Sequence, residues 1–347
     1  MLMGSGGVQT TVQPLLSVCI PTFNRAALLE VTLLGLEEQM AHPGVDGSLL
    51  EIVIVDNHSP DRTPTVVEAF ARRNPHGVRA RRHSHNTGAD NVYRCTEHAT
   101  GKFVWILSDD DVLLPGALAQ IFAVLQARGS IDALSVNLVG LQEDGTAGPA
   151  VFKRNLYVES VEAPALFVEL GAMLTFLSSV VYRRSLVADR DYSFTHGTNL
   201  IQAYAFVDAL LAGGEVCRLR DPSIAYRSNN SGAFDYFRVY VDNFAALLMY
   251  ARENGLPPNA ADTVLRQHLS RHILPFLLSV RLNGSFGEVK VRWAAGRLAL
   301  LRHFPKHDPF LIAALLVTVA PRTPLVLVSR VRRAIRSAKG LYLRKTA

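Results

Sequence analysis

Between Leu15 and about residue 141, short continuous apolar runs alternate with helix-like stretches, and few folds accept that rhythm. "LLSVCIPTF", "EIVIVDN", "KFVWILSD" and "IDALSVNLVG" read as strands, with "VRARRHS" a weaker one. "AALLEVTLLGLEEQM", "TPTVVEAFARRN", "GADNVYRCTEHAT" and "GALAQIFAVLQARG" between them read as helices, the second with Thr63 as N-cap and Pro64 in its first position. Strands apolar along their whole length must be covered on both faces. Helical crossovers then make the sheet mostly parallel and the connections right-handed. The expected fold is therefore α/β, a Rossmann-like sheet with helices on both faces. Such sheets bind ligands beyond the carboxyl ends of their strands. Three of those ends are polar: "PTFNR", "DNHSPD" and "SDDD".

The second half changes character. "TFLSSVVYRRSL" and "VCRLRDPSIAYR" read as strands around the helical "NLIQAYAFVDALLAGG", and from Tyr236 to about residue 303 the pattern is helical. The expected divisions are a flexible leader (1–14), a sheet domain in two halves (15–141 and 142–235), a helical region (236–308) and an apolar-then-basic tail (309–347). The leader lacks a basic segment followed by an apolar core, so no signal peptide is expected.

Charge and cysteine narrow the function. Of the net +6, the last 26 residues supply eight Lys/Arg and no acid, leaving the rest two acids in excess. That argues against a nucleic-acid binder and for one basic attachment surface. Cys19, Cys95 and Cys217 are odd in number, far apart and set among apolar residues, as buried hydrophobes are. No G-x-G-x-x-G follows the first strand and no G-x-x-x-x-G-K-[ST] occurs, which excludes the common dinucleotide and P-loop sites.

Asp109, Asp110 and Asp111 end an apolar run. Adjacent carboxylates at a strand's end repel one another and suit a hard divalent cation, Mg²⁺ or Mn²⁺, which in turn would hold a diphosphate. A solvated acidic turn is the plainer use of the same residues. Asp56, also at a strand end, could accept hydrogen bonds from a nucleobase or ribose, or cap a turn.

Together "LSVCIPTFNRAALLEVTL", "EIVIVDNHSPDRT", "HNTGADN" and "GKFVWILSDDDVLLPGAL" resemble the family-2 inverting glycosyltransferases of the GT-A fold. "FVWILSDDDVLLPG" and "FLSSVVYRRS" are most similar to the abequosyltransferase-like branch, which builds O-antigen and related bacterial surface polysaccharides. The resemblance spans roughly Leu15 to Leu118 and fades after about residue 185. It implies a nucleoside-diphosphate-sugar donor bound by residues 15–141, and a saccharide or polyprenyl-linked saccharide acceptor on the side of residues 142–235. It also implies a Mn²⁺ or Mg²⁺ cofactor.

Residue by residue, the resemblance implies that Pro21 and Thr22 contact the nucleoside through their backbone, with Arg25 close by. Asp56 binds the base beside Asn57, and Asn86 and Gly88 line the ribose and sugar side. Asp109 and Asp111 fit the D-x-D metal motif, whereas alignment on Pro115 makes Asp110 the principal ligand; both registers stand. "AYRSNNSG" is similar to a second-half loop whose Arg227, Asn230 and Ser231 would close over the diphosphate, an Arg gripping phosphate oxygens bidentately. One departure matters. Many members carry a Glu-Asp pair where this chain has Ile201 and Gln202, neither of which accepts a proton. The candidates left for the base are His196 and Asp191, with Asp189 and Asp208 nearby; a neutral imidazole suits the task near pH 7.

"FLIAALLVTVAP" is too short to span a bilayer, and in the segment after it apolar residues at helical spacing alternate with arginines. This pattern suits an interfacial anchor on an anionic inner leaflet, or else a terminal helix packed on the body. Two other readings of the whole chain stand beside the leading one. They are a retaining or nucleotidyl-transferring relative on the same sheet, and a non-catalytic membrane-tethered scaffold.

Overall fold

The computed structural model describes residues 13–141, 147–150, 158–227, 234–284 and 289–321. Asn230, Ser231 and the basic tail after residue 321 lie outside them. The chain divides into two compact units near residue 228, with residues 253–256 grouping with the first.

The first unit is built on β1 (Leu16–Thr22), α1 (Ala26–Met40), β2 (Leu50–Asp56), α2 (Thr63–Arg73), β3 (Val78–Arg82), α3 (Asn91–Glu97) and β4 (Phe103–Ile106). β5 (Val112–Leu113), α4 (Ala117–Ala127), β6 (Ala133–Leu141), β7 (Ala147–Ala150) and β8 (Val158–Val161) follow. α5 (Ala163–Leu170), β9 (Val180–Arg183), α6 (Ile201–Leu210) and β10 (Val216–Arg227) complete it. The sheet order is β3-β2-β1-β4-β9-β6-β10-β5, with β7 on β6 and β8 on β10. β1 to β4 are parallel, and every residue of β1, β2 and β4 is buried, as strands covered on both faces must be.

β9 enters between β4 and β6 antiparallel to both. It is shorter than "TFLSSVVYRRSL" suggested, because Leu177–Ser179 form a 3₁₀ turn before it. Thr63 is the first residue of α2 and not its cap; Asp61 Oδ1 accepts from Thr63 N at 3.0 Å in that role. All three cysteines are free and buried.

At the amino end of the sheet, Glu51 is buried but fully used. It accepts from the Ser17 hydroxyl and from Thr100 N (2.8 Å) and Oγ1 (2.9 Å), and it pairs with Arg79 at 3.1 Å. That charge is structural. The carboxyl end is arranged differently.

The second unit is helical. A π-helical stretch, Arg238–Asn243, runs into α7 (Phe244–Glu253), and α8 (Pro258–His268) runs through a second one, Leu269–Ile273, into α9 (Leu274–Asn283). α10 (Trp293–His303) and α11 (Pro309–Val319) close it. Its core holds Phe237, Val241, Leu269, Ile273, Leu277, Leu300, Phe304 and Leu311, with Tyr236 stacked on Phe276 at 3.7 Å. His268 is buried among them, its ring 4.1 Å from that of Phe244. Its Nε2 donates to Tyr240 O at 2.6 Å, and its buried Nδ1 has no partner.

Candidate active site

In the β1–β2 register Thr22 lies opposite Asp56, and Leu107 N donates to Cys19 O at 2.9 Å, so the three polar strand ends meet on one edge. The loops after β1 and β2 are tied amide to side chain. Asn24 N donates to Ser59 Oγ (2.8 Å), Arg25 N to Thr63 Oγ1 (3.3 Å) and Ala26 N to Asp61 Oδ2 (3.0 Å). With its other oxygen on Thr63 N, the Asp61 carboxylate caps α1 and α2 at once. Those hydrogen bonds hold its pKa below the usual carboxylate range despite burial, which acts the other way.

Asp109, Asp110 and Asp111 are all buried, at 4%, 8% and 5% exposure, so the solvated-turn reading fails. Arg25 reaches across from the first loop, one nitrogen lying 3.0 Å from Asp109 Oδ1 and 2.9 Å from Asp110 Oδ2. Burial alone would lower the Arg25 pKa; the two carboxylates outweigh it and raise it. Asp110 Oδ1 accepts from Ser108 Oγ (2.6 Å) and its carbonyl from Arg227 Nε (3.2 Å). Asp111 Oδ2 accepts from Ser178 Oγ at 2.6 Å, and Thr32 Oγ1 holds the carbonyls of Asp109 (3.1 Å) and Asp111 (2.9 Å).

Arg25 and Arg227 together do not neutralise three carboxylates. Burial pushes Asp109 up to about 6 against the pull of Arg25, and pushes Asp111 up to about 8 with the Asp110 charge adding to it. No group of three or more metal-binding side chains forms a ready cage among the described residues. A cation held by one or two carboxylates and completed by phosphate oxygens needs none, and an oxygen-only donor set with surplus negative charge fits such a cation.

Asp56 is buried, Oδ1 accepting from Ser59 N (3.1 Å) and Oγ, and Oδ2 lying 3.1 Å from Arg82 Nε. Asn57 is a scaffold. Its Nδ2 donates to Asn86 Oδ1 (2.9 Å) and Gly88 O (3.0 Å), and its Oδ1 accepts from Thr87 N (2.8 Å) and Oγ1 (3.0 Å). Asn86 and Gly88 are thereby presented at the exposed rim, Gly88 with φ +65°, a conformation that favours glycine.

On the other side His196 Nδ1 lies 3.4 Å from Asp90 Oδ2, and Asp90 Oδ1 accepts from Gly197 N at 3.3 Å. Asp90 follows Gly88 by two residues, so His196 is brought to the loop that Asn57 shapes. Asp191 is exposed and accepts from Ser193 N (2.8 Å) and Oγ (3.0 Å). Asp208 is buried against the Tyr192 hydroxyl (2.6 Å) and Arg190 (3.2 Å). Gln202, in the first turn of α6, donates to Thr175 O at 2.8 Å and lines a cavity of about 160 Å³ with Tyr93, Glu97, Arg184 and Tyr192.

Sequence reasoning did not find Thr32, Ser59, Asp61, Asp90 or Ser178. The D-x-T spacing of Asp61 and Thr63 is a cap signal open to reading. Ser178 stands 67 positions from Asp111 and carries no local signal.

Residues 17–162 match the family model "Glycosyl transferase family 2". The chain is 35% identical over 109 residues to the GalNAc(5)-diNAcBac-PP-undecaprenol beta-1,3-glucosyltransferase of Campylobacter jejuni, covering 31% of this chain and 33% of that one. It is 28% identical over 182 residues to the abequosyltransferase RfbV of Salmonella typhimurium, covering 49% and 53%. The chain thus spans about a third to about half of the length of these curated relatives. The crystal structure of S. aureus TarS 1-349 in complex with UDP-GlcNAc superposes with a TM-score of 0.57 at 19% identity over 91% of both chains, which shows the GT-A fold. Strand ends, site and family model agree: residues 17–162, the part that carries the three polar strand ends, are similar to glycosyl transferase family 2.

Proposed function

We propose that the chain is a glycosyltransferase that moves a sugar from a nucleoside-diphosphate donor to a lipid-linked saccharide acceptor, in bacterial surface polysaccharide synthesis of the O-antigen kind. The observation that carries this is the buried carboxylate triple, clasped by Arg25 and Arg227 at the carboxyl end of a GT-A sheet. The acceptor class follows the lipid-linked saccharide named in the Campylobacter jejuni relative.

The reading assigns the following roles. Pro21, Thr22 and the Asp56–Arg82 pair shape the base pocket, while Asn86 and Gly88 line the ribose and sugar side. Asp109 and Asp111, with Asp110 between them, would hold Mn²⁺ or Mg²⁺, which when bound offsets the charge of the departing diphosphate. Arg25, on the carboxylates of Asp109 and Asp110, and Arg227, on the Asp110 carbonyl, are placed to turn to phosphate oxygens as the donor binds. Asn230 and Ser231, outside the described residues, keep in this reading the diphosphate-closing part that the resemblance implies.

His196 takes the proton from the acceptor hydroxyl. Asp90, on its Nδ1 side, orients the ring and stabilises the imidazolium that results. Asp191 is then a turn residue, held by Ser193. The catalytic reading stands against a scaffold role on turnover. Calorimetry with UDP, with and without Mn²⁺, followed by donor hydrolysis or transfer, tests both: nucleotide binding that needs no triple, or binding with no turnover under any donor, would sink it. The place of action in this reading is peripheral, on the inner face of the plasma membrane. Among the described residues no helix is long and apolar enough to cross a membrane.

A further inference from the structure

α11 contains no charged residue, yet Ile312 (49%), Leu316 (60%) and Val319 (60%) are exposed. Their spacing of four and three residues puts them on one face of the helix, with Phe310 (38%) near its start. The opposite face, Leu311, Ala314 and Val317, belongs to the core of the helical unit. Leu298 (65%) and Leu301 (42%) on α10 are exposed as well. Scattered surface leucines are ordinary; an apolar stripe along a whole helix is not.

The helix is not a frayed end. Asp308 Oδ1 accepts from Phe310 N at 2.8 Å and caps its start, with Pro309 in the first turn. Arg281 donates to the carbonyls of Val317 (3.1 Å) and Thr318 (2.5 Å) and satisfies its other end, while its guanidinium lies 4.4 Å over the Trp293 ring. Backbone groups at both termini are thus paired inside the protein, so the exposed stripe can leave water without stranding them.

Charge selects the occupant. Residues 289–321 carry five Lys/Arg and the single acid Asp308; Arg292 and Arg302 pair with Asp235 (3.2 Å) and Asp242 (3.3 Å), which leaves Lys290, Arg297 and Lys306 as the cations of this segment with no ion pair among the described residues. Lys306 and His307 are exposed on the turn that leads into α11. Eleven residues rise about 16 Å, roughly half the hydrocarbon thickness of a bilayer, so the helix can lie in an interface but not cross it. An apolar stripe that starts from a basic turn, in a segment with more cations than acids, is the chemistry of an interfacial helix on anionic lipid.

We infer that α11, with the basic turn before it, is a built membrane-docking surface that seats the helical unit on an anionic lipid leaflet. This deepens the peripheral reading given above, by moving the contact from the basic tail alone to a capped helix of the folded unit. The seating would hold the enzyme where a lipid-linked acceptor presents its sugar.

Co-sedimentation of the full chain with phosphatidylcholine vesicles, and with vesicles containing phosphatidylglycerol, tests this without any turnover. The wild-type chain is expected to bind the anionic vesicles, less so at high salt. The double variant Ile312→Glu, Leu316→Glu should bind at least tenfold more weakly, with an unchanged thermal unfolding midpoint as the check on folding. The single variant Leu316→Trp, a surface change, should shift its emission to shorter wavelength when anionic vesicles are added.

Wild-type-like sedimentation of the double variant, or no emission shift in Leu316→Trp, would overturn the docking surface. So would sedimentation showing that the stripe joins two copies of the chain, with the double variant monomeric. Loss of the vesicle result leaves the transferase reading intact, and loss of nucleotide binding leaves the docking surface intact, so the two fail separately.

Discussion

The two units depart from the ordinary partition of polar and apolar groups in opposite directions. In the sheet unit, three carboxylates are buried at the carboxyl ends of the strands with one guanidinium spanning two of them. In the helical unit, an uncharged helix leaves Ile312, Leu316 and Val319 in water. Each departure raises the free energy of the isolated protein, and in the readings proposed above each would be relieved by something the chain does not contain: a cation and diphosphate in one case, a lipid surface in the other. The contrast with Glu51, equally buried but fully paired, shows that burial of a charge alone does not mark a site. Surplus does.

The comparison can be broken at its strongest point. Asp111→Ala should cut transfer by roughly 10²–10³-fold, the range for losing one electrostatic contact in a transition state, while leaving the metal-free protein at least as stable as wild type. Turnover alongside thermal unfolding reads both; a folded variant with near-wild-type rates would remove the triple from the chemistry.

Acid and base should separate the units by a few kcal/mol, at about 1.36 kcal/mol per pKa unit. Burial pushes Asp111 up to about 8, and a carboxyl raised in the folded state gives its full stability below its ordinary range near 4 and loses it as pH rises through 8. The metal-free sheet unit should therefore weaken between about pH 5 and 8. Burial brings His268 down to about 3, and a histidine lowered in the folded state contributes above about 6.5 and loses that contribution as pH falls towards 3. Its cause is visible, since a proton on Nδ1 would be a buried donor with no partner. The helical unit should weaken on acidification. Hydrogen exchange at pH 5 and pH 8 in the absence of metal should show opposite trends in the two units, flattened by Asp111→Asn and His268→Gln respectively.

Smaller still is the expected cost at the proposed base pocket. Asp56→Ala strands Arg82 and frees Ser59, and should weaken nucleoside diphosphate binding by roughly 1.5–3 kcal/mol, with or without metal. Unchanged affinity by calorimetry would confine Asp56 to the scaffold. Least of all, Leu316→Glu should change thermal stability by no more than about 0.5 kcal/mol, because the side chain is already in water. A cooperative loss of structure would show instead that the stripe is covered by the protein itself.

The strand ends and the carboxylate triple were legible in the sequence because they follow from local pattern: continuous apolar runs that stop at polar residues. The order of β9 in the sheet was not, since antiparallel insertion between β4 and β6 depends on contacts far along the chain. Nor was the clasp on the triple. Arg25 was placed close by through resemblance, but its bonds to Asp109 and Asp110 close a gap of over 80 positions, and Ser178 reaches Asp111 from a 3₁₀ turn that the sequence presented as strand. Asp90 was hidden for another reason. It stands in the quoted "HNTGADN", but only the fold brings it to His196.

The paired capping by Asp61 has an evolutionary corollary. Three consecutive amides of one loop, at Asn24, Arg25 and Ala26, meet Ser59, Thr63 and Asp61 of the other, so the spacing in each is measured against the spacing in its neighbour. A one-residue insertion in either loop would put the three amides out of step with their partners and cost α1 its cap from Asp61. Lengths of the two loops should therefore be inherited together, and a donor pocket transplanted between relatives should survive only when both segments travel as one cassette.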